Sequence, residues 1–156
     1  MELDALPHVD EHETIIEAST EDVWRAVSET MDRSTSGSFM RFYARLVGCA
    51  DHTASGPRPF AEGSTIPGFR VAAAHPWHEL VLTGRHRFST YALIFRFEQL
   101  SPARTRLRAE TRAAFPGVFG AGYRGLVIGT RGHVVGMRRI LAGIRRRSER
   151  RRDAGA

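Results

Sequence analysis

Lysine is missing from this chain of 156 residues, and all 23 basic side chains are arginine. Set against 17 acids they leave a formal net charge of +6. Cysteine occurs once, as Cys49, so no intramolecular disulfide can form and a small disulfide-stapled scaffold is excluded. A long uninterrupted apolar run is also absent. The longest candidate, 113–137, is broken by Pro116, Arg124, Arg131 and His133. A charge at mid-bilayer costs about 2.5–3.5 kcal/mol, so no membrane-spanning helix is expected there. The first seventeen residues hold Glu2, Asp4, Asp10, Glu11, Glu13 and Glu17 with no basic residue, the reverse of a secretory signal, and a cytoplasmic location is expected. Neither a G-x-S-x-G elbow nor an H-E-x-x-H helix occurs, which removes two common hydrolase designs.

What is present suits one ordinary domain. A chain of this length buries about 70% of the surface it would expose unfolded, so its core needs no structural metal. The charge is unevenly placed. Residues 138–156 hold eight arginines against Glu149 and Asp153, whereas residues 1–137 balance fifteen arginines with fifteen acids. The high pI thus belongs to the C-terminus and says little about the body. The arginines there lack interleaved aromatic side chains for base stacking, so no specific nucleic acid is expected. Weak contact of Arg145–Arg152 with an anionic surface is the most that segment suggests.

Residues 10–18 alternate, with Thr14 and Ile16 on one face, as a strand does. Ser19 and Thr20 offer an N-cap, Glu21 and Asp22 favour the first turn, and Val23, Trp24, Val27 and Met31 make an apolar helix face. Phe39, Phe42, Tyr43 and Leu46 predict a second short helix. The Gly, Pro and Ser density of 51–68 predicts a long loop or a poorly ordered strand. Period-two stretches follow, with Leu80, Leu82, Gly84 and His86, then Tyr91, Leu93, Phe95 and Phe97, then Leu107, Ala109, Thr111 and Ala113 pointing one way. They predict an antiparallel meander whose other face is wet and carries pairs among Glu79, Glu98, Glu110, Arg85, Arg96, Arg108 and Arg112. Pro116 and Gly117 stop the last strand, and one helix of about thirty residues is expected after them. On its wheel Tyr123, Leu126, Val134, Met137, Ile140, Leu141 and Ile144 share a side. Gly122, Gly125, Gly129, Gly132, Gly136 and Gly143 form a separate stripe, implying close approach or empty space beside the helix.

The strings ASTEDVWRAV at 18–27, GRHRFSTYALIFRFEQL at 84–100 and TRLRAETRA at 105–113, with the closing helix, resemble the START-like helix-grip superfamily, in particular its polyketide cyclase/dehydrase and lipid-transport branch. The resemblance spans about residues 10–147. It implies an α+β fold in which a curved antiparallel sheet wraps a long C-terminal helix, two short helices follow the first strand, and an apolar cavity separates sheet from helix. The expected layout is a flexible 1–9, a helix-grip domain 10–147 and a basic disordered tail 148–156.

Gly120, Gly122 and Gly125 spell G-x-G-x-x-G, yet no parallel strand and no ribose-binding acid follow, so they read as packing glycines. His75, His78 and Glu79, like His8 and His12, read as surface groups. No metal and no cofactor are expected. Periodicity aims His86, Tyr91, Thr111 and His133 inward, with Tyr43 and Arg41 entering from the second helix; Phe95 from the aromatic row and Met137 from the long helix complete the expected ligand-binding set. Three functions follow. The first is binding of a hydrophobic small molecule, lipid-like, aromatic or polyketide-derived. The second is a cyclase or dehydratase with a cavity His or Tyr as general acid/base. The third is an interaction module that meets anionic partners through the arginine-rich end.

Overall fold

The computed structural model describes residues 3–155; Met1, Glu2 and Ala156, which belong to the expected flexible ends, lie outside the described residues. Six antiparallel strands form one curved sheet in the order β1-β6-β5-β4-β3-β2. They are β1 (His8–Ile16), β2 (Thr65–Ile66), β3 (Phe69–His75), β4 (Glu79–His86), β5 (Ser89–Ser101) and β6 (Arg104–Ala114). Between β1 and β2 come α1 (Thr20–Thr35) and α2 (Ser38–Leu46); after β6 come α3 (Gly117–Arg124) and α4 (Gly132–Gly155). The α+β helix-grip class expected from the sequence is the one observed.

The local reasons match the residues. Ser19 caps α1, its hydroxyl accepting from the Asp22 N–H at 3.2 Å. The inner side of the sheet packs against α1 and α4 around Val23, Trp24, Val27, Phe95, Leu107 and Ile144, all buried. Trp24 and Phe97 meet with ring centres 5.2 Å apart. On the outer face Arg96 pairs with Glu110 at 2.6 Å and Glu79 at 3.3 Å, while Arg112 also reaches Glu110 at 2.6 Å. Burial alone would raise the Glu110 carboxyl, but the two guanidinium groups outweigh it and hold the group below its ordinary value.

Three expectations about the ends and the last helix are corrected. Residues 3–9 are not a free arm: Leu3–Ala5 forms a short turn, Leu6 is buried, and the Pro7 carbonyl accepts from the Ala113 N–H at 3.0 Å. Residues 148–155 continue α4 instead of trailing as a tail, with Ser148 buried, Arg151 paired to Glu29, and Arg152 donating to the Glu17 carbonyl at 3.1 Å. The single long helix is in fact two. A π-helical turn, Gly125–Gly129, follows α3, and Arg131 takes a left-handed φ of 57° before α4 begins. Each glycine costs about 1 kcal/mol of helix propensity, and five of them between 120 and 132 leave the straight helix unsupported. Leu126 therefore leaves the apolar side assigned to it and is exposed.

The segment 51–68 is a loop apart from β2 and a bridge between Ser55 and Thr65. It is tied down by Phe60, whose ring is buried and whose N–H donates to Ser28 Oγ at 3.0 Å.

Candidate functional site: an apolar cavity under two short helices

A cavity of about 510 Å³ lies between the sheet, α2, α3 and the first turns of α4. Its lining is mostly apolar and aromatic, as small-molecule sites are. Of the side chains expected inward, His86, Tyr91, Thr111, Tyr43, His133 and Met137 line it. Two do not. Arg41 is exposed on α2, and Phe95 sits fully buried in the packed core, one inward position too far along β5 to reach the void. Gly136, in the glycine stripe, borders the cavity and has nothing within 4 Å of where a Cβ would stand. Only Gly143 of that stripe approaches another helix, with Thr30 Cγ2 at 3.6 Å from the Cβ position.

Three of the polar groups at the cavity are constrained by burial and by their neighbours. The His86 ring lies 4.9 Å from Tyr123 and 5.5 Å from Tyr91, centre to centre, and burial pushes its pKa down. Its Nδ1 accepts the Phe88 N–H at 3.1 Å, so the neutral ring carries its hydrogen on Nε2. Tyr91 donates to the Gly68 carbonyl at 2.7 Å, and burial raises its hydroxyl far above the usual range. That phenol is a brace between β5 and the loop ahead of β3, not a ready acid. Gly84 makes the brace possible, because a Cβ there would collide with the Tyr91 ring and the Gly68 carbonyl. Cys49 also lines the cavity; burial raises its thiol pKa, which keeps it protonated and a poor nucleophile.

Three further features escape sequence reasoning. Tyr43 and Tyr123 share a hydrogen bond of 2.7 Å that joins α2 to α3. Asp10 holds His133, whose Nε2 stands 3.2 Å from Asp10 Oδ1 and 3.1 Å from Thr111 Oγ1. Asp10 pairs with Thr111 across β1 and β6, beside a bulge, and also meets His12 Nε2 at 3.1 Å. Burial would raise the Asp10 carboxyl, yet the charge of His133 with hydrogen bonds from His12 and His133 outweighs it, so the group is held below its ordinary value. As an ionised acceptor it fixes the hydrogen of His133 on Nε2 and leaves Nδ1 without a protein partner among the described residues. Extending the alternation of Thr14 and Ile16 back along β1 points Asp10 inward, and that was the available signal. The third is Arg139, the single arginine, lysine or carboxylate side chain among the lining residues described.

A curved sheet closed by helices over a void defines the helix-grip architecture, and comparisons with known proteins agree at the level of fold. No protein-family model matches the sequence, and no curated protein matches it. Among solved structures, an uncharacterised protein from Rhizobium leguminosarum aligns with a TM-score of 0.60 at 15% identity, covering 94% of this chain and 97% of that one. The Zhui aromatase/cyclase from a Streptomyces species aligns with a TM-score of 0.55 at 14% identity, over 91% of this chain and 95% of that one. A norcoclaurine synthase point mutant from Thalictrum flavum, in complex with a transition-state analogue, gives 0.55 at 12% identity, over 94% and 99%. The chain thus has the START-like helix-grip fold. Among the described residues no helix is long and apolar enough to cross a membrane.

Proposed function

We propose that this protein holds one hydrophobic small molecule, lipid-like, aromatic or polyketide-derived, in the cavity between sheet and C-terminal helices. The observation that carries the reading is the roughly 510 Å³ apolar void ringed by a few polar groups, among them His86, Tyr91, Thr111, His133 and Arg139. Affinity comes from burying apolar ligand surface, at about 25 cal/mol per Å² before the costs of association. Orientation comes from the His86 Nε2–H, which donates without a charge, and from Arg139, which favours a ligand whose polar end is neutral or anionic. Native mass spectrometry of the purified protein, with displacement of a fluorescent apolar probe, tests it. Retained ligand or saturable probe binding is expected. Absence of both, in a protein that melts cooperatively, overturns it.

The His133–Asp10 contact supports a second reading, a cyclase or dehydratase acting on an enolisable carbonyl compound. Asp10 accepts from Nε2–H and orients the imidazole, so Nδ1 is the atom that takes a proton from substrate and returns it. Two of the similar structures are of enzymes, an aromatase/cyclase and a norcoclaurine synthase, so the fold is compatible with catalysis. Turnover of a poly-β-keto substrate is expected to fall about 10²–10⁴-fold in His133→Gln. Turnover unchanged by that substitution removes His133 from the role.

A further inference from the structure

The two helices that roof the cavity are apolar on both sides. On α2, Met40, Tyr43 and Ala44 face the cavity, while Phe39, Phe42 and Leu46, spaced to share one stripe, are 75%, 63% and 63% exposed. On α3 and the π turn, Tyr123, Val127 and Ile128 line the cavity, while Val118, Phe119 and Leu126 are 87%, 82% and 66% exposed. The Tyr43–Tyr123 bond holds the two segments side by side. A surface helix in water normally keeps one polar face, so six large apolar side chains on neighbouring segments mark a contact surface.

Charge identifies what it contacts. Arg41, Arg45 and Arg124 stand exposed on the same segments and Arg131 in the turn just after them, and none meets a carboxylate among the described residues. No acid occurs anywhere in 33–50 or 111–148. A symmetric second copy would set these arginines against their own duplicates with no acid to offset them. We infer that α2, α3 and the π turn dock the cavity end of the protein on an anionic phospholipid surface, the phenylalanines entering the headgroup layer and the arginines meeting lipid phosphates. The helices lie in the interface and do not span it. This goes beyond the cavity's occupancy, because vesicle binding reads the outer sides of the helices and ligand binding reads their inner sides.

The test is sedimentation of the full chain with phosphatidylcholine vesicles, with and without phosphatidylglycerol. Binding is expected to require phosphatidylglycerol, to weaken with salt, and to fall about tenfold or more in Phe39→Ser/Phe119→Ser while the melting temperature stays. A Phe119→Trp variant gives a readout that needs no loss of binding: its emission is expected to shift blue on anionic vesicles and to be quenched by brominated lipid. Absence of binding to either vesicle overturns the inference. So does binding that survives the double serine variant but disappears in Arg146→Glu/Arg150→Glu, which assigns it to the far end of α4. A concentration-dependent dimer in sedimentation velocity that the serine variant dissolves overturns it in favour of a second copy.

Discussion

The two ends of β5 face the same way and meet different interiors. At one end Phe95 and Phe97 are buried in one cluster with Trp24, Val27 and Ile144. At the other, Tyr91 and Leu93 look into the cavity. The strand is continuous and its alternation unbroken, so the difference comes from what covers it. Over the packed end lie α1 and the uninterrupted part of α4, whose branched and aromatic side chains interdigitate with the sheet. Over the open end lie a nine-residue helix, an eight-residue helix and a glycine-rich π turn, which span the gap without filling it. Hydrophobic patterning thus sets the side on which a residue lies, and the covering segment decides whether that side is core or cavity.

Substitutions can break or sharpen this contrast. The largest effect is expected at Phe95→Ala, about 3–5 kcal/mol of lost stability in urea denaturation, because the packed end cannot collapse around the gap. Leu93→Ala, facing a void that already exists, is expected near about 2 kcal/mol; equal losses would erase the distinction between the ends. Gly84→Ala comes next. Its methyl meets the Tyr91 ring, so a loss of about 1–3 kcal/mol is expected together with weaker probe binding, and binding unchanged despite the loss would separate the brace from the cavity. Gly136→Leu is expected to act in the opposite sense, raising stability by up to about 1 kcal/mol through helix propensity while abolishing probe binding. A protein that is more stable and still binds would remove Gly136 from the cavity wall.

The smallest effect is a pH dependence. Burial places the folded pKa of His86 below its ordinary 6.5, so the unfolded chain takes up the proton first. Its stabilising contribution is complete above about pH 6.5 and is lost as the pH falls toward the folded value. Denaturation at about pH 7.5 and about pH 5.5 reads this loss, and His86→Gln is expected to flatten it. The packed end offers no buried histidine and should contribute nothing to the slope.

Much of this was legible in the sequence because a single period governs each strand. The inward rows of β4, β5 and β6, the Ser19 cap and the strand–helix–helix opening all follow from local spacing. Depth along a row does not, which is why Phe95 was expected at the ligand and lies in the core. Arg41 failed for a related reason: a short helix offers two sides, and nothing local says which one meets the sheet. The helix wheel failed between 117 and 131 because it assumed a constant turn through glycines whose summed cost undoes the helix. Asp10 reaches His133 only because β1 closes beside β6, a pairing between residues about a hundred positions apart that no window along the chain contains.

The vacancy beside Gly136 carries a consequence for how such a protein can change. Its wall of the chamber is set by one α-carbon on a helix, opposite a sheet that owes its stability to the packed end. Alanine, valine and leucine at that position would shorten the space in steps while leaving every sheet contact in place. If the chamber holds the proposed ligand, its size selectivity is therefore expected to be adjustable by single substitutions at Gly136 that the rest of the fold barely registers.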